Sequence, residues 1–162
     1  MSKAFRKVLG REEYSVVVAQ FKTSEFGAGD EENLDWALVI IVDEDELVGG
    51  TYQAKPRLKN HYGGGACIVA TSDREPLAES SRCLGGVRIG TINRSEVNDL
   101  ESRILRHAPR VKSKEWTSRD WVMDCISIMQ NRGWVPRGIR RQEDLFPGLK
   151  QASSLISTFA NL

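Results

Sequence analysis

Hydrophobic positions along the chain follow two rhythms, and the change from one to the other divides it. Residues 13–22, Glu-Tyr-Ser-Val-Val-Val-Ala-Gln-Phe-Lys, are rich in β-branched side chains and predict a strand. Residues 34–43, Leu-Asp-Trp-Ala-Leu-Val-Ile-Ile-Val-Asp, form an unbroken apolar run bounded by acids, the pattern of a central strand covered on both faces. Residues 23–33 between them are polar, acidic and glycine-containing, and read as a loop. An acidic turn at 43–46 leads into residues 47–55, a hairpin partner weakened or bulged at Gly49 and Gly50. Residues 56–65 end in three glycines and read as a flexible connector, because neither a P-loop lysine nor a dinucleotide fingerprint accompanies them. Residues 66–71 and 83–92 predict two further strands, joined by the polar, proline-containing connection 72–81.

The period then becomes helical. Val97, Leu100, Ile104 and His107 share one side of residues 94–107, and Pro109 stops the helix just past its end. His107 there suits the negative end of the helix as a partly exposed group. A second helix starts at Thr117 or Ser118 as N-cap, with Asp120 in its first turn. Its buried side is Trp121, Val122, Cys125, Ile128 and Met129, and Gly133 is a natural C′ residue. Past Pro147 and Gly148, Leu149, Ala152, Ile156 and Phe159 keep helical spacing and predict a last helix. About five strands followed by three helices define an α+β fold with a mainly antiparallel sheet. Residues 1–162 read as a single domain, with 1–12 a loose N-terminal segment and 137–162 a C-terminal helical extension.

Composition narrows the function classes. A chain of 162 residues with 40% apolar content can bury a core without staples. A formal net charge of +1 gives no global electrostatic case for nucleic acid. No apolar run approaches the roughly 18 residues of a membrane span. Cys67, Cys83 and Cys125 share no C-x-x-C spacing, so no metal site, disulfide framework or cofactor is expected, and free thiols suit a cytoplasmic setting. The 43–46 turn lacks the ligand spacing of a calcium loop. Arg137, Arg140 and Arg141, with Lys112 and Lys114, flank Trp116 and Trp134. Such interleaving can bind phosphates or stack bases, but the near-zero net charge favours a solvated turn.

Two short stretches carry a family resemblance. Leu34-Asp-Trp-Ala-Leu-Val resembles the His-Trp-Ala-apolar strand start of the lecithin:retinol acyltransferase-like proteins, permuted relatives of NlpC-type papain-like enzymes. Thr117-Ser-Arg-Asp-Trp-Val is similar to their later cysteine-bearing helix start. Small uncharacterised fungal proteins with H-W-x-L and C-x-D-W-V segments are more similar still. The resemblance implies a permuted papain-like fold over roughly residues 34–134. It also implies that Asp35 stands where the histidine should be and Ser118 where the cysteine should be.

Those departures change the chemistry. A papain-like enzyme needs a thiolate, formed beside an imidazole at the positive end of a helix. A serine hydroxyl needs a strong base, and an ordinary carboxylate with a pKa near about 4 is a poor one unless burial raises it. The resemblance therefore implies a catalytically degenerate domain that binds a small apolar ligand or a protein partner. A second reading is a small isomerase, cyclase or dehydratase using Asp35 as acid or base and Ser118 as hydrogen-bond donor, with Trp36, His61 and Trp121 against an apolar substrate. A third is a Cys-dependent hydrolase or acyltransferase with its nucleophile relocated to Cys67 or Cys125. If either of the first two holds, the side chains of Asp35 and Ser118 should face a common pocket.

Overall fold

A computed structural model describes residues 13–22, 34–56, 67–110, 112–113, 115–154 and 159–161. Strands β1 (Glu13–Phe21), β2 (Asp35–Asp43), β3 (Val48–Pro56), β4 (Cys67–Pro76) and β5 (Cys83–Asn93) precede helices α1 (Val97–Arg106), α2 (Ser118–Asn131) and α3 (Phe146–Ser154). A short strand, β6 (Phe159–Asn161), follows. The architecture is α+β. The six strands form one sheet in the order β4-β3-β2-β1-β5-β6. All neighbours are antiparallel except β5 and β6, which run parallel.

The sheet separates two sets of side chains because β-strand residues alternate faces. Val16, Val18, Trp36, Leu38, Ile40 and Val87 point to the face on which the helices lie. There they meet Leu100 and Ile104 of α1, Trp121, Val122, Cys125, Ile126 and Met129 of α2, and Leu149 of α3. On the opposite face Val17, Ala19, Val39 and Ile41 form a second cluster with Leu77. The connection from β4 to β5 brings Leu77 there, in a single 3-10 turn, Leu77–Glu79. The run of apolar residues in β2 is thus explained, since both faces of that strand are buried.

Several expectations need correction. β4 extends to Pro76 rather than ending near residue 71, and the segment expected to be a connection pairs with β3. β4 lies at the edge of the sheet, where a proline at the strand end leaves no required bond unmade. In α2 it is Ile126, at 0% exposure, that is fully buried, while Ile128 is only half-buried. Trp121, Val122, Cys125, Ile126 and Met129 make a stripe two residues wide, as a helix packed flat on a sheet requires. α3 starts at Phe146, with Pro147 in its first turn where a missing N–H costs nothing. It stops at Ser154, and Phe159 belongs to β6 instead of continuing the helix. The described part of residues 137–162 contains α3 and β6. Ile139, Leu145 and Leu149 enter the main core, and β6 adds a strand. The expected N-terminal segment 1–12 lies outside the described residues.

Candidate functional site

The start of α2 is held against the start of β2. Thr117 is its N-cap, in an extended conformation that redirects the chain into the helix. The Thr117 hydroxyl accepts the Arg119 N–H at 3.3 Å, and the Asp120 carboxylate accepts the Thr117 N–H at 2.8 Å. This reciprocal capping box satisfies donors that every helix N-terminus leaves open. Of the two capping residues the sequence allowed, it is Thr117 that caps, so Ser118 is free to point elsewhere.

Ser118 points at β2. Its hydroxyl donates to Asp35 Oδ1 at 3.1 Å and accepts the backbone N–H of Trp36 at 3.1 Å. The two residues that stand at the dyad positions of the resemblance are in direct contact. Ser118 is 7% exposed and Asp35 is half-buried. Pairing Phe21 with Asp35 and Cys83 places them at the end of the sheet where β1, β2 and β5 come together. Around them, Trp36 meets Phe146 edge-on, with ring centroids 6.1 Å apart, and the Arg119 guanidinium stacks 5.9 Å from the Trp36 ring centre. Gln142 donates to Asp120 Oδ1 at 3.1 Å and ties the same corner to the segment before α3.

Trp36 and Trp121, expected to present an apolar surface to a ligand, are 1% and 0% exposed. Both are packed into the core, which corrects that expectation. The Trp121 indole N–H is also consumed, donating to the His107 carbonyl at 2.9 Å. His61 lies outside the described residues. His107 is far from the dyad positions in its bonding. Its Nε2 lies 3.5 Å from Asp124 Oδ2, and its own N–H closes the end of α1 on the carbonyls of Arg103 and Ile104.

Cys83 and Cys125 are both held as thiols by burial. Burial, with a smaller contribution from the Asp124 charge, pushes the Cys125 thiol far above its ordinary range, so it stays protonated at neutral pH. Burial likewise raises Cys83, partly offset by the Gly85 backbone N–H. Nothing is described of the Cys67 side chain. Among the described residues no three His, Cys, Asp or Glu side chains gather as a metal cluster would require. No described helix is long and apolar enough to cross a membrane.

Sequence reasoning missed Arg119, a buried cation over Trp36, because an arginine in a first helical turn reads as surface. It also missed the pairing of His107 with Asp124, since helix spacing alone does not reveal which turn of α2 faces the end of α1. Several cavities are lined by described residues. One of about 740 Å³ lies between β5 and the segment before α3, with Ile89, Pro136, Ile139 and Pro147 on its wall. A second, of about 710 Å³, lies by Gly90 and the end of α2, and a third, of about 370 Å³, lies at the end of α1. Comparison with protein-family models, curated proteins and solved structures gives no match. The class defined by the fold is an α+β protein whose serine–carboxylate pair joins a helix N-terminus to a central strand.

Proposed function

We propose that this chain is a binding domain without hydrolytic activity, built on a permuted papain-like scaffold whose dyad positions now serve as a structural latch. One observation supports the reading above all others: the Ser118 hydroxyl both accepts the Trp36 N–H and donates to Asp35. A nucleophile must have a lone pair aimed at its substrate and a base to receive its proton. Here the oxygen is committed to a buried backbone donor, and the group receiving its proton is a carboxylate. Breaking both bonds to attack a carbonyl would leave the Trp36 N–H unsatisfied, at a cost of about 1–3 kcal/mol before any chemistry began.

The ligand this reading favours is a small apolar molecule, with a protein partner as the other candidate. Support comes from the groove between β5 and the 136–147 segment, whose volume of about 740 Å³ falls in the range of small-molecule sites. Its apolar wall and its few polar residues, Ser15, Arg88, Thr91, Glu143 and Asp144, suit a mostly hydrocarbon ligand with one polar end. The competing enzyme reading also draws on the Asp35–Ser118 contact, with Asp35 exchanging a proton with a bound substrate. Titration with a panel of apolar compounds separates the two. The expected result is saturable binding, without turnover, that is unchanged in Asp35→Asn. Turnover in the wild type that disappears in Asp35→Asn while binding persists establishes the enzyme instead.

A further inference from the structure

We infer that the cavity at the C-terminal end of α1 is a binding site for a phosphate monoester. The space of about 370 Å³ is lined by Arg106, His107, Ala108, Arg110, Lys112 and Asp124. That is at the small end of the range of ligand pockets. Three basic residues, Arg106, Arg110 and Lys112, line the space together with one acidic residue, Asp124. The excess of two positive charges exceeds the net charge of the entire chain, +1. Basic residues thus gather at this pocket, while the molecule as a whole is close to neutral.

The cations are concentrated by the path of the chain. α1 ends at Arg106, and Pro109 prevents its continuation, so the backbone turns at once. Arg110 and Lys112 then return to the cavity that Arg106 already lines. One wall is fixed, because the His107 carbonyl is held by the Trp121 indole N–H at 2.9 Å. The one carboxylate is itself engaged, with Asp124 Oδ2 3.5 Å from His107 Nε2. Arg103 of the same helix shows the contrast, since its guanidinium is answered by Asp99 at 3.0 Å. Arg106, Arg110 and Lys112 make no side-chain hydrogen bond or ion pair with the described residues.

The chemistry of these donors selects the ligand. Two guanidinium forks and an ammonium match the three equivalent oxygens of a phosphate dianion, each fork giving two parallel N–H···O bonds. The pocket is too small to follow a nucleic-acid backbone over several phosphates, and the net charge does not supply the broad field that such binding uses. His107 lies on the same wall, with its Nε2 3.5 Å from Asp124 Oδ2. The site is separate from the Asp35–Ser118 latch and does not depend on the reading given to it.

The test is a titration of isotopically labelled full-length protein with glycerol 3-phosphate, followed by amide NMR at constant ionic strength, with sodium chloride as control. Saturable shifts centred on residues 106–112 and 124 are expected. The exposed double charge reversal Arg110→Glu/Lys112→Glu should weaken binding at least about tenfold with an unchanged melting temperature. Asp124→Asn, which removes the opposing charge, should tighten it. A second arm uses vesicles of phosphatidylcholine with phosphatidic acid. Binding of glycerol 3-phosphate assigns the site to a soluble monoester. Capture by the vesicles alone, abolished by the same double reversal, assigns the same chemistry to a lipid headgroup. Shifts no larger than those with chloride and no vesicle capture overturn the inference, as does full binding by a folded double reversal.

Discussion

Ser118 shows how a hydroxyl beside a helix cap can serve a second element. At the first position of a helix a hydroxyl ordinarily looks to its own backbone. Thr117 has taken that task, so the Ser118 oxygen bridges to β2, where it satisfies the Trp36 N–H at a strand end that pairs with β1 at Gln20 but lies before the pairing with β3, which begins at Leu38. Ser118→Ala removes the acceptor and leaves a buried donor unmet. The expected loss is about 1–3 kcal/mol, read as a lower urea midpoint with an unchanged slope. Asp35→Asn should cost much less, because the Asn carbonyl oxygen can still accept from Ser118. Equal losses in the two variants would mean that the carboxylate charge, and not the Trp36 contact, holds the latch. Cys125 gives a second expectation at this scale. Protonated and 0% exposed, it should resist iodoacetamide in the folded protein and react only as fast as the protein opens.

Among the elements, the turn before α3 carries the clearest pH dependence. Asp144 Oδ2 accepts the backbone N–H groups of Arg140 at 2.8 Å and Arg141 at 2.9 Å, which hold its carboxyl below the usual carboxylate range. A depressed carboxyl contributes order that is complete above its unfolded pKa and is lost as the pH falls through the lower folded value. The Arg140 and Arg141 amide resonances should therefore titrate together below the pH at which a free aspartate protonates, and Asp144→Ala should abolish the step. A midpoint at the ordinary aspartate value would show that the two bonds do not persist in solution. Gly90 sets a steric limit at the same scale. A Cβ there would lie 2.1 Å from the Trp134 carbonyl oxygen, so Gly90→Ala must push β5 away from the end of α2. A loss of about 1–3 kcal/mol is expected in thermal unfolding, the typical cost of overpacking.

These elements also show what could be read in advance. β1 and β2 were legible because β-branched runs have one stable use, and α2 because a capping residue, an acidic first turn and Gly133, at φ +76°, punctuate it from end to end. The meeting of Asp35 and Ser118 was legible only through the resemblance, since 83 positions separate them and no local rhythm links a strand to a later helix. β6 was hidden because Leu149, Ala152, Ile156 and Phe159 fit a helix on spacing alone; pairing with β5 decides otherwise, and pairing is a tertiary property. The burial of Trp36 and Trp121 was missed for a similar reason. An aromatic beside a candidate site reads as ligand surface until the element packed over it is known.

At the scale of the whole molecule, the sheet closes through its last residues. β5 has β1 on one side and only β6 on the other, with Gly86 opposite Phe159, Val87 opposite Ala160 and Arg88 opposite Asn161. Val87 is 0% exposed and lies beneath α3, which reaches it closely at Gly148. Truncation after Ser154 keeps α3 and removes β6. The loss of two or three ladder bonds, at about 0.5–1.5 kcal/mol each, predicts a stability decrease on the order of 2 kcal/mol. The bared edge of β5 adds a second consequence, because an unpaired strand edge is a template for another copy. The truncated protein should therefore show concentration-dependent self-association in light scattering, together with a lower urea midpoint, while the intact chain at equal concentration shows neither change. Truncation after Asp144 removes Leu145 and Leu149 as well, at 0% and 2% exposure, and should prevent cooperative unfolding altogether. A graded response of this kind follows if the C-terminal segment is part of the core and sheet. If the shorter chain instead unfolds cooperatively at the same midpoint as the full one, then α3 and β6 rest on a domain that is complete without them, and β5 is a true edge protected by other means.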